Sequence, residues 1–357
     1  MKKNPYSGLP DKQFWKKDPG ITKAIQFDPV SPASFKITKE QKIVTAGSCF
    51  AQHVARVLTK KGFNHHITEN AHPLIHSRIA DKNNYGMFSA RYGNIYTTRQ
   101  LKQLLQRAYG EFEPLQSEWP LGDDGTLIDP FRPQIQPGGF RSAAELRTDR
   151  AQHFTAIRQA IEEMDVFIFT LGLTECWEDS RDGAIFPLAP GIVGGIYDPE
   201  IIKFKNFDEV ETYADLKFAL DFIRAKNPDV KIILTVSPVP LNATMENRHV
   251  FVSTTWSKAV LRIAAEKAHK TLEDCYYFPS YEVITSPHMR GRYYDDSRRD
   301  VTQPGVQHVM RLFMRHICAT GHGPAAQPIE TPAHDRHIKA MSKALDTLCD
   351  EAAITND

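Results

Sequence analysis

Short apolar segments that alternate with amphipathic segments are the feature that most constrains the fold of this chain. Residues 166–171 form an apolar run typical of a strand that is buried on both faces. Further strands are predicted at 42–47, in the segment 229–241 (DVKIILTVSPVPL), which its two prolines stop, and at 276–284. Helices are predicted at 48–62, 99–109, 143–163, 208–227, 257–270 and 303–319. This alternation predicts an α/β protein, a three-layer α/β/α sandwich with a central, mostly parallel sheet.

The first strand and helix meet at a polar corner. The segment KIVTAGSCFAQHVARVLTKKGF places Ser48 and Cys49 where the strand ends and the helix begins. Unpaired backbone N–H groups and the helix dipole favour negative charge there, which suits a nucleophile. The same pattern is typical of a plain serine N-cap followed by a buried cysteine. Both interpretations stand at this point.

Composition excludes several classes of protein. The 357 residues carry a formal charge of +1, which argues against nucleic-acid binding through bulk charge. We find no apolar run near the roughly 20 residues of a membrane span and no signal-peptide core, so the expected compartment is the cytoplasm. The five cysteines are scattered without CxxC spacing, which predicts neither a disulfide framework nor a metal site. No cofactor is implied.

The chain divides into three predicted parts. Residues 1–40 read as an extended arm, 41–317 as the folded domain, and 318–357 as a linker with a C-terminal helix. Residues 64–98 hold four histidines and are too long for a simple connection, which indicates a functional loop region. Thr98 is the expected cap of the helix at 99–109, and the Asp-Gly pair within 181–195 predicts a hairpin or lid.

Ligands of parallel α/β sheets bind beyond the carboxyl ends of the strands. The segments that follow the predicted strands therefore meet at one edge, and we expect the functional site there. They are AGSCF, TLGLTE, VSPVPL and the loop after FPSYEVI.

Six ordered segments resemble the GSCFA family over about residues 40–317. They are AGSCFA (46–51), YGNIYT (92–97), FTLGLTECW (169–177), TVSPVP (235–240), STTWSKAVLR (253–262) and YFPSYEVI (277–284). That family looks like a branch of the SGNH/GDSL hydrolases, which are ester hydrolases and acyltransferases with a three-layer fold. The resemblance therefore implies the same fold and acyl chemistry.

The resemblance also assigns site residues. The nucleophile position falls on Cys49 or on Ser48, depending on which small residue is aligned with the family glycine. The oxyanion hole is implied to use Gly93, Asn94 and Thr174, with Thr174 in place of the usual asparagine.

The general base expected from the resemblance is missing. The Asp-x-x-His position before the last helix holds Arg299 or Asp300 instead of histidine. His249, in the loop after TVSPVP, is the first replacement, since histidine titrates near neutral pH. His288 is the second, and Asp296 and Asp300 are alternative bases or orienting groups.

A charged cluster near this loop suggests how a substrate is held. Glu175, Arg298 and Arg299 are the candidate substrate-binding residues, and the arginines suit an anionic group such as a phosphate or uronate. We therefore expect an esterase or acyltransferase that acts on an acylated carbohydrate or a related small metabolite, with an acyl donor as a further partner. The competing hypothesis is a ligand-binding protein that has lost its base.

Overall fold

The computed structural model describes residues 4–319 and 350–355. The strands are β1 (Ile43–Gly47), β2 (Trp119–Pro120), β3 (Leu127–Ile128), β4 (Val166–Leu171), β5 (Glu175–Asp179), β6 (Ile185–Phe186), β7 (Ile202–Asn206), β8 (Lys231–Val236) and β9 (Cys275–Tyr277). The α-helices are α1 (Phe50–Lys60), α2 (Ser77–Lys82), α3 (Thr98–Ala108), α4 (Ala143–Glu163), α5 (Glu209–Lys226), α6 (Val250–Thr271), α7 (Ser280–Thr285) and α8 (Gln303–His316).

A parallel sheet with the strand order β1-β4-β8-β9 forms the centre of the described chain. β1 pairs with β4 from Ile43 opposite Val166 to Gly47 opposite Thr170, and β8 and β9 continue the parallel pairing. The strands are short and rich in β-branched residues, as buried parallel strands are. The predicted α/β fold with helices on both faces of the sheet is confirmed.

Alternate residues of each strand point to opposite faces, and each face carries its own apolar core. Val44, Phe167, Phe169 and Leu234 pack on one face against α3, α4, α5 and α6. On the other face, Ile43, Ile168 and Ile233 belong to a core that also includes α1, α7, α8 and the segment at 27–37. The result is three layers, and it leaves the carboxyl edge of the sheet to the loops.

Three of the differences between the observed element boundaries and the sequence predictions have a clear local cause. Thr97, not Thr98, caps α3, because its side chain and that of Gln100 form a capping box. α6 begins seven residues earlier than predicted, since His249 accepts a hydrogen bond from the second helical residue. The strand predicted at 276–284 ends at Tyr277, because Pro279 interrupts it and the following residues form α7.

The smaller elements surround the sheet. The Asp-Gly pair, for which a hairpin or lid was predicted, lies in the turn of a hairpin that spans 175–186. In it β5 and β6 are antiparallel, and β7 pairs along the other side of β5. Residues 11–26 form short 3₁₀ turns, and the Ile37 N–H donates to Ile317 O. The predicted C-terminal helix had no stated bounds within 318–357, and residues 320–349 of that range lie outside the described residues. Residues 350–355 are described and form a 3₁₀ turn.

The cysteines, the membrane-span criterion and the metal-site criterion are reported for the described residues, 4–319 and 350–355. Four cysteines there are free thiols, at 49, 176, 275 and 318. Within the same residues, no helix is long and apolar enough to cross a membrane. A grouping of three or more His, Cys, Asp or Glu side chains that suits a metal is likewise absent from them.

A buried ionic network anchors the histidine-rich loop region to α4. Glu69 accepts from the Arg91 N–H at 2.7 Å and contacts His153 Nδ1 at 2.7 Å. Asp149 pairs with Arg91 at 2.8 Å and with Arg132 at 2.6 Å. Burial raises the pKa of Glu69, but His153, Arg132 and the Arg91 N–H outweigh burial and bring the pKa down to about 2. The ionised carboxylate therefore stabilises the fold.

The pH dependence of stability tests this network. The pKa of Glu69 falls from 4.5 to about 2 on folding, so its contribution of about 3 kcal/mol is present above pH 4.5 and is lost as the pH falls toward 2. We expect the difference in unfolding free energy between wild type and Glu69→Gln to shrink by about 2 kcal/mol between pH 6 and pH 3. Urea titrations at the two pH values measure this difference. Asp123→Asn is the matched control, because Asp123 is exposed. An equal difference at both pH values would contradict the assignment.

Candidate active site

The Ser48–Cys49 corner is formed by a tight turn from β1 into α1. Gly47 has φ +125°, and the Ser48 N–H donates to Thr170 O at 3.1 Å, which ties the corner to the end of β4. Ser48 is 3% exposed, and its Oγ has no hydrogen-bond partner among the described residues. Cys49 is half-buried and occupies the N-cap position of α1. Of the two candidates, the cysteine is the more accessible to a ligand.

Gly172, directly after β4, packs against this corner. A Cβ at this position would lie 3.1 Å from the Ser48 Cβ and 3.1 Å from the Tyr96 Cα. The N–H groups of Gly172 and Leu173 both donate to Tyr96 O, at 3.0 and 3.1 Å. The ends of β1 and β4 and the segment before α3 therefore meet, as the edge rule predicts.

Lys258 of α6 is a site residue that the sequence reasoning missed. Its side chain is buried, 2% exposed, and its Nζ donates to Gly172 O at 2.6 Å. Burial lowers the pKa of Lys258 to about 8; Arg299 acts in the same direction, whereas Glu351 and Cys49 favour the charged form. Gly172, which accepts from Lys258, packs against Ser48, so Lys258 reaches the same corner as Cys49. The sequence did carry a signal for Lys258. It lies three residues before Leu261, so the helical period puts it on the buried face of α6.

Asn94 presents an amide donor to the same site. Gln52, one turn beyond Cys49 on α1, donates its Nε2 to Asn94 Oδ1 at 3.2 Å. This contact orients the amide so that Asn94 Nδ2 donates to the Asp350 carboxylate at 3.4 Å. A negative charge therefore already lies beside the predicted oxyanion donor. Gly93 precedes Asn94 in the same turn, and its role stays a prediction.

Thr174 and Glu175 belong to a polar cluster formed with β7 and the loop before α6. Thr174 Oγ1 donates to Asn206 Oδ1 at 2.7 Å, so its hydroxyl proton is directed at β7. This contact does not support the oxyanion role predicted for Thr174. Glu175 accepts from Thr244 Oγ1 at 2.7 Å. Burial raises the pKa of the Glu175 carboxyl. Its role in substrate binding stays a prediction.

The two histidines proposed as bases have other structural partners. His249 is exposed, and its Nδ1 accepts from the Phe251 N–H at 3.1 Å as the cap of α6. His288 stacks on Phe27 with ring centroids 4.4 Å apart, and its Nδ1 lies 2.6 Å from Ser286 Oγ. Neither set of contacts supports a catalytic role, and Lys258 is the better-placed candidate.

The loop before α8 brings Arg299 into the site. Arg299 Nη2 lies 2.7 Å from Glu351 Oε2, and its Nη1 lies 3.6 Å from Asp300 Oδ1. Burial raises the pKa of Asp300. Asp296 and Arg298 are exposed on the same loop. Of this group, Arg299 is the residue whose contact with Glu351 links the loop to the C-terminal end of the described chain.

The C-terminal turn (Asp350–Thr355) lies over these groups. Asp350 and Glu351 are 5% and 8% exposed. The Asp350 N–H donates to the Tyr96 hydroxyl at 3.0 Å. Asn242, which follows β8, donates its N–H to Glu351 Oε1 at 3.4 Å and its Nδ2 to Glu351 O at 2.8 Å. Segments far apart in sequence therefore enclose one polar site next to Cys49.

The fold and these contacts define an α/β protein with a Ser-Cys corner at the carboxyl edge of a parallel sheet. The sequence matches the GSCFA family over residues 42–313, and the chain belongs to that family. A search of curated proteins finds no match. The matched region spans the corner, Asn94, Lys258 and Arg299, whereas the C-terminal turn lies beyond it.

Proposed function

We propose that the chain is an ester hydrolase or acyltransferase of the SGNH-like type, with Cys49 as the nucleophile and Lys258 as the general base. The observation that carries the proposal is the half-buried Cys49 at the start of α1, at a corner that the buried Lys258 also reaches. Lys258 Nζ donates to the carbonyl of Gly172, which packs against Ser48. A helix N-terminus and a neighbouring lysine are both conditions under which a thiol ionises readily.

The proposed reaction proceeds in two steps. The neutral amine of Lys258 accepts the thiol proton, and the thiolate adds to the ester carbonyl carbon. The alcohol then leaves with a proton from the Lys258 ammonium, which forms a thioester on Cys49. In the second step Lys258 takes a proton from water or a sugar hydroxyl, which attacks the thioester and releases the thiol. A pKa of about 8 makes the amine form accessible near neutral pH.

Asn94 and the backbone of Phe50 are the proposed donors for the oxyanion. Asn94 Nδ2 already faces a carboxylate, and the first-turn N–H of Phe50 has no acceptor within its helix. Gly93 completes the proposed hole. The acylated carbohydrate remains the proposed substrate on the strength of the SGNH-like resemblance.

A ligand-binding protein on the same scaffold is the second candidate. The position of the family histidine holds Arg299 or Asp300, and Arg299 is engaged by Glu351 at 2.7 Å. A binding site that has lost its general base but kept its polar side chains would show these features. Turnover separates the two functions.

Single substitutions at the corner test the nucleophile. With a panel of acetylated sugars and nitrophenyl esters, Cys49→Ala should lower turnover by roughly 10³-fold or more, because no covalent intermediate can form. Ser48→Ala is the matched control and should keep most activity, since Ser48 is buried against Gly172. Loss of activity in Ser48→Ala alone would move the nucleophile to Ser48. Absence of turnover by the wild type across the panel would favour the binding protein.

A further inference from the structure

An open pocket beside α1 lies outside the candidate active site. Its volume is about 570 Å³, which is within the usual range of small-molecule sites. Two segments that the sequence singles out contribute to its wall, the loop region at 64–98 and the segment at 181–195 with its predicted hairpin or lid. Its described lining includes no residue of the candidate active site. The proposed acyl chemistry therefore leaves this pocket without a role.

The apolar part of the pocket wall is aliphatic, and no aromatic side chain is among the described residues that line it. Planar ligands such as nucleobases are commonly held by stacking on aromatic rings, which this wall does not offer. A flexible aliphatic chain needs no such platform, because it is stabilised by the burial of its apolar surface. The apolar lining residues are Met87, Leu121, Ile128, Pro133, Pro137 and Val193.

Hydrogen bonds within the protein hold the walls of the pocket in place. Asn84 Nδ2 donates to Gln134 O at 3.2 Å and to Ile135 O at 3.1 Å, which ties the loop region at 64–98 to the segment after β3. The Gly195 N–H donates to Pro120 O at 2.7 Å and so ties the other segment to β2. A wall that is already ordered lowers the entropic cost of binding a ligand.

Arg56 gives this aliphatic pocket a positive charge. The residue is half-buried on α1, and its guanidinium has no hydrogen bond and no ion pair within residues 4–319 and 350–355. Lys82 is exposed at the same pocket, and Asp81 is the one acidic residue among the described lining residues. A half-buried cation without a counter-charge is stabilised by an anion and not by an apolar or cationic ligand. The pocket therefore suits a ligand with an aliphatic chain and an anionic end.

We propose that this pocket binds an aliphatic carboxylate, with its chain along the apolar wall and its carboxylate on the guanidinium of Arg56. A planar guanidinium can donate to both oxygens of a carboxylate. Cys49 and Arg56 are seven residues apart, so they lie on one face of α1, separated by about 10 Å along the helix axis. The inference goes beyond the proposed function, and it does not require Cys49 to be a nucleophile.

Titration calorimetry of the full-length chain tests the pocket with three probes. Octanoate carries the chain and the charge, octanol carries the chain alone, and acetate carries the charge alone. We expect octanoate to bind wild type at least about tenfold more tightly than either of the others, because it alone uses both the apolar wall and Arg56. The proposal is overturned if octanol or acetate binds as tightly as octanoate does, or if octanoate does not bind.

Substitutions separate the contribution of the charge from that of the chain. Arg56→Met keeps the side-chain length and removes the charge, so it should weaken octanoate roughly tenfold or more and leave octanol unchanged. Arg56→Lys, which keeps the charge, should lose less. Leu121→Gln, in the apolar wall, should weaken both ligands. Lys60→Met is the matched control and should change neither, because Lys60 is exposed on the same helix outside the described lining.

Two outcomes with Arg56→Met would contradict the proposal. An unchanged affinity for octanoate would show that the guanidinium does not bind the carboxylate. An equal loss of octanoate and octanol binding would show that Arg56 acts through packing and not through charge. Circular dichroism checks that each variant is folded. Cys49→Ala should bind octanoate as wild type does, so a failure of the proposed nucleophile leaves this result unchanged.

Discussion

Lys258→Met is expected to lower the rate of acyl transfer by about 10²–10⁴-fold, which is the usual contribution of a positioned general base. Methionine is similar in length and apolar, so it can occupy the buried channel of Lys258 without leaving a cavity. The thiol of Cys49 would then lose the amine that is proposed to accept its proton. The rate of acyl-enzyme formation from a nitrophenyl ester measures the effect.

The pH profile distinguishes a base from a structural lysine. Only the neutral amine accepts a proton, so the wild-type rate should rise with pH and level off above about 8, the pKa of Lys258. Lys258→Met should lack this rise. Lys267→Met is the matched control, because Lys267 lies on the exposed face of the same helix. If Lys258→Met kept the wild-type rate and pH profile, His249 would be the next candidate to test.

Gly47→Ala is expected to lower the free energy of unfolding by about 4 kcal/mol or more, one of the largest effects of any single substitution in this chain. Gly47 has φ +125°, a conformation that residues with a side chain rarely adopt. An added Cβ would overlap the Thr170 carbonyl oxygen and lie 2.7 Å from the Thr170 nitrogen. Removing this overlap would require β1 to move away from β4, because the two strands pair at Gly47 and Thr170.

Gly183→Ala is the matched control for this substitution. Gly183 also has positive φ, at +76°, but an added Cβ would meet no atom within 4 Å. The control should therefore cost only about 1–2 kcal/mol, the penalty of the left-handed conformation itself. Urea denaturation followed by circular dichroism compares the two. Equal losses would show that the contact with Thr170 contributes nothing.

The sequence predicted what depends on local pattern. The strand predicted at 166–171 and the helix predicted at 143–163 are confirmed at the same bounds. A continuous apolar run marks the strand and a periodic apolar stripe marks the helix, and both patterns can be recognised within one short segment. The start of α6 was missed, because the cap His249 is not among the residues usually expected at that position. Pro279 was the local signal that β9 would be short.

The site was predictable in part. The corner at Ser48–Cys49 follows from strand and helix signals in one segment. The edge rule placed the loop that holds Arg299 near it, and the family resemblance pointed to Asn94. Lys258 was missed because histidine is the usual base near neutral pH, whereas burial is the main cause that lowers the pKa of this lysine to about 8. The contacts of Asp350 and Glu351 join residues more than 50 positions apart, and no periodicity or spacing rule reports such pairs.

The most direct test of the account is the position of a covalent acyl group. Full-length protein is incubated with excess nitrophenyl acetate, quenched with acid, digested and sequenced by mass spectrometry. The account predicts one acetyl group on the peptide that contains Cys49, located on the Cys49 sulfur, absent in Cys49→Ala and formed far more slowly in Lys258→Met. An acetyl group on Ser48, or ester turnover by wild type without any acetyl group on Cys49, would contradict it.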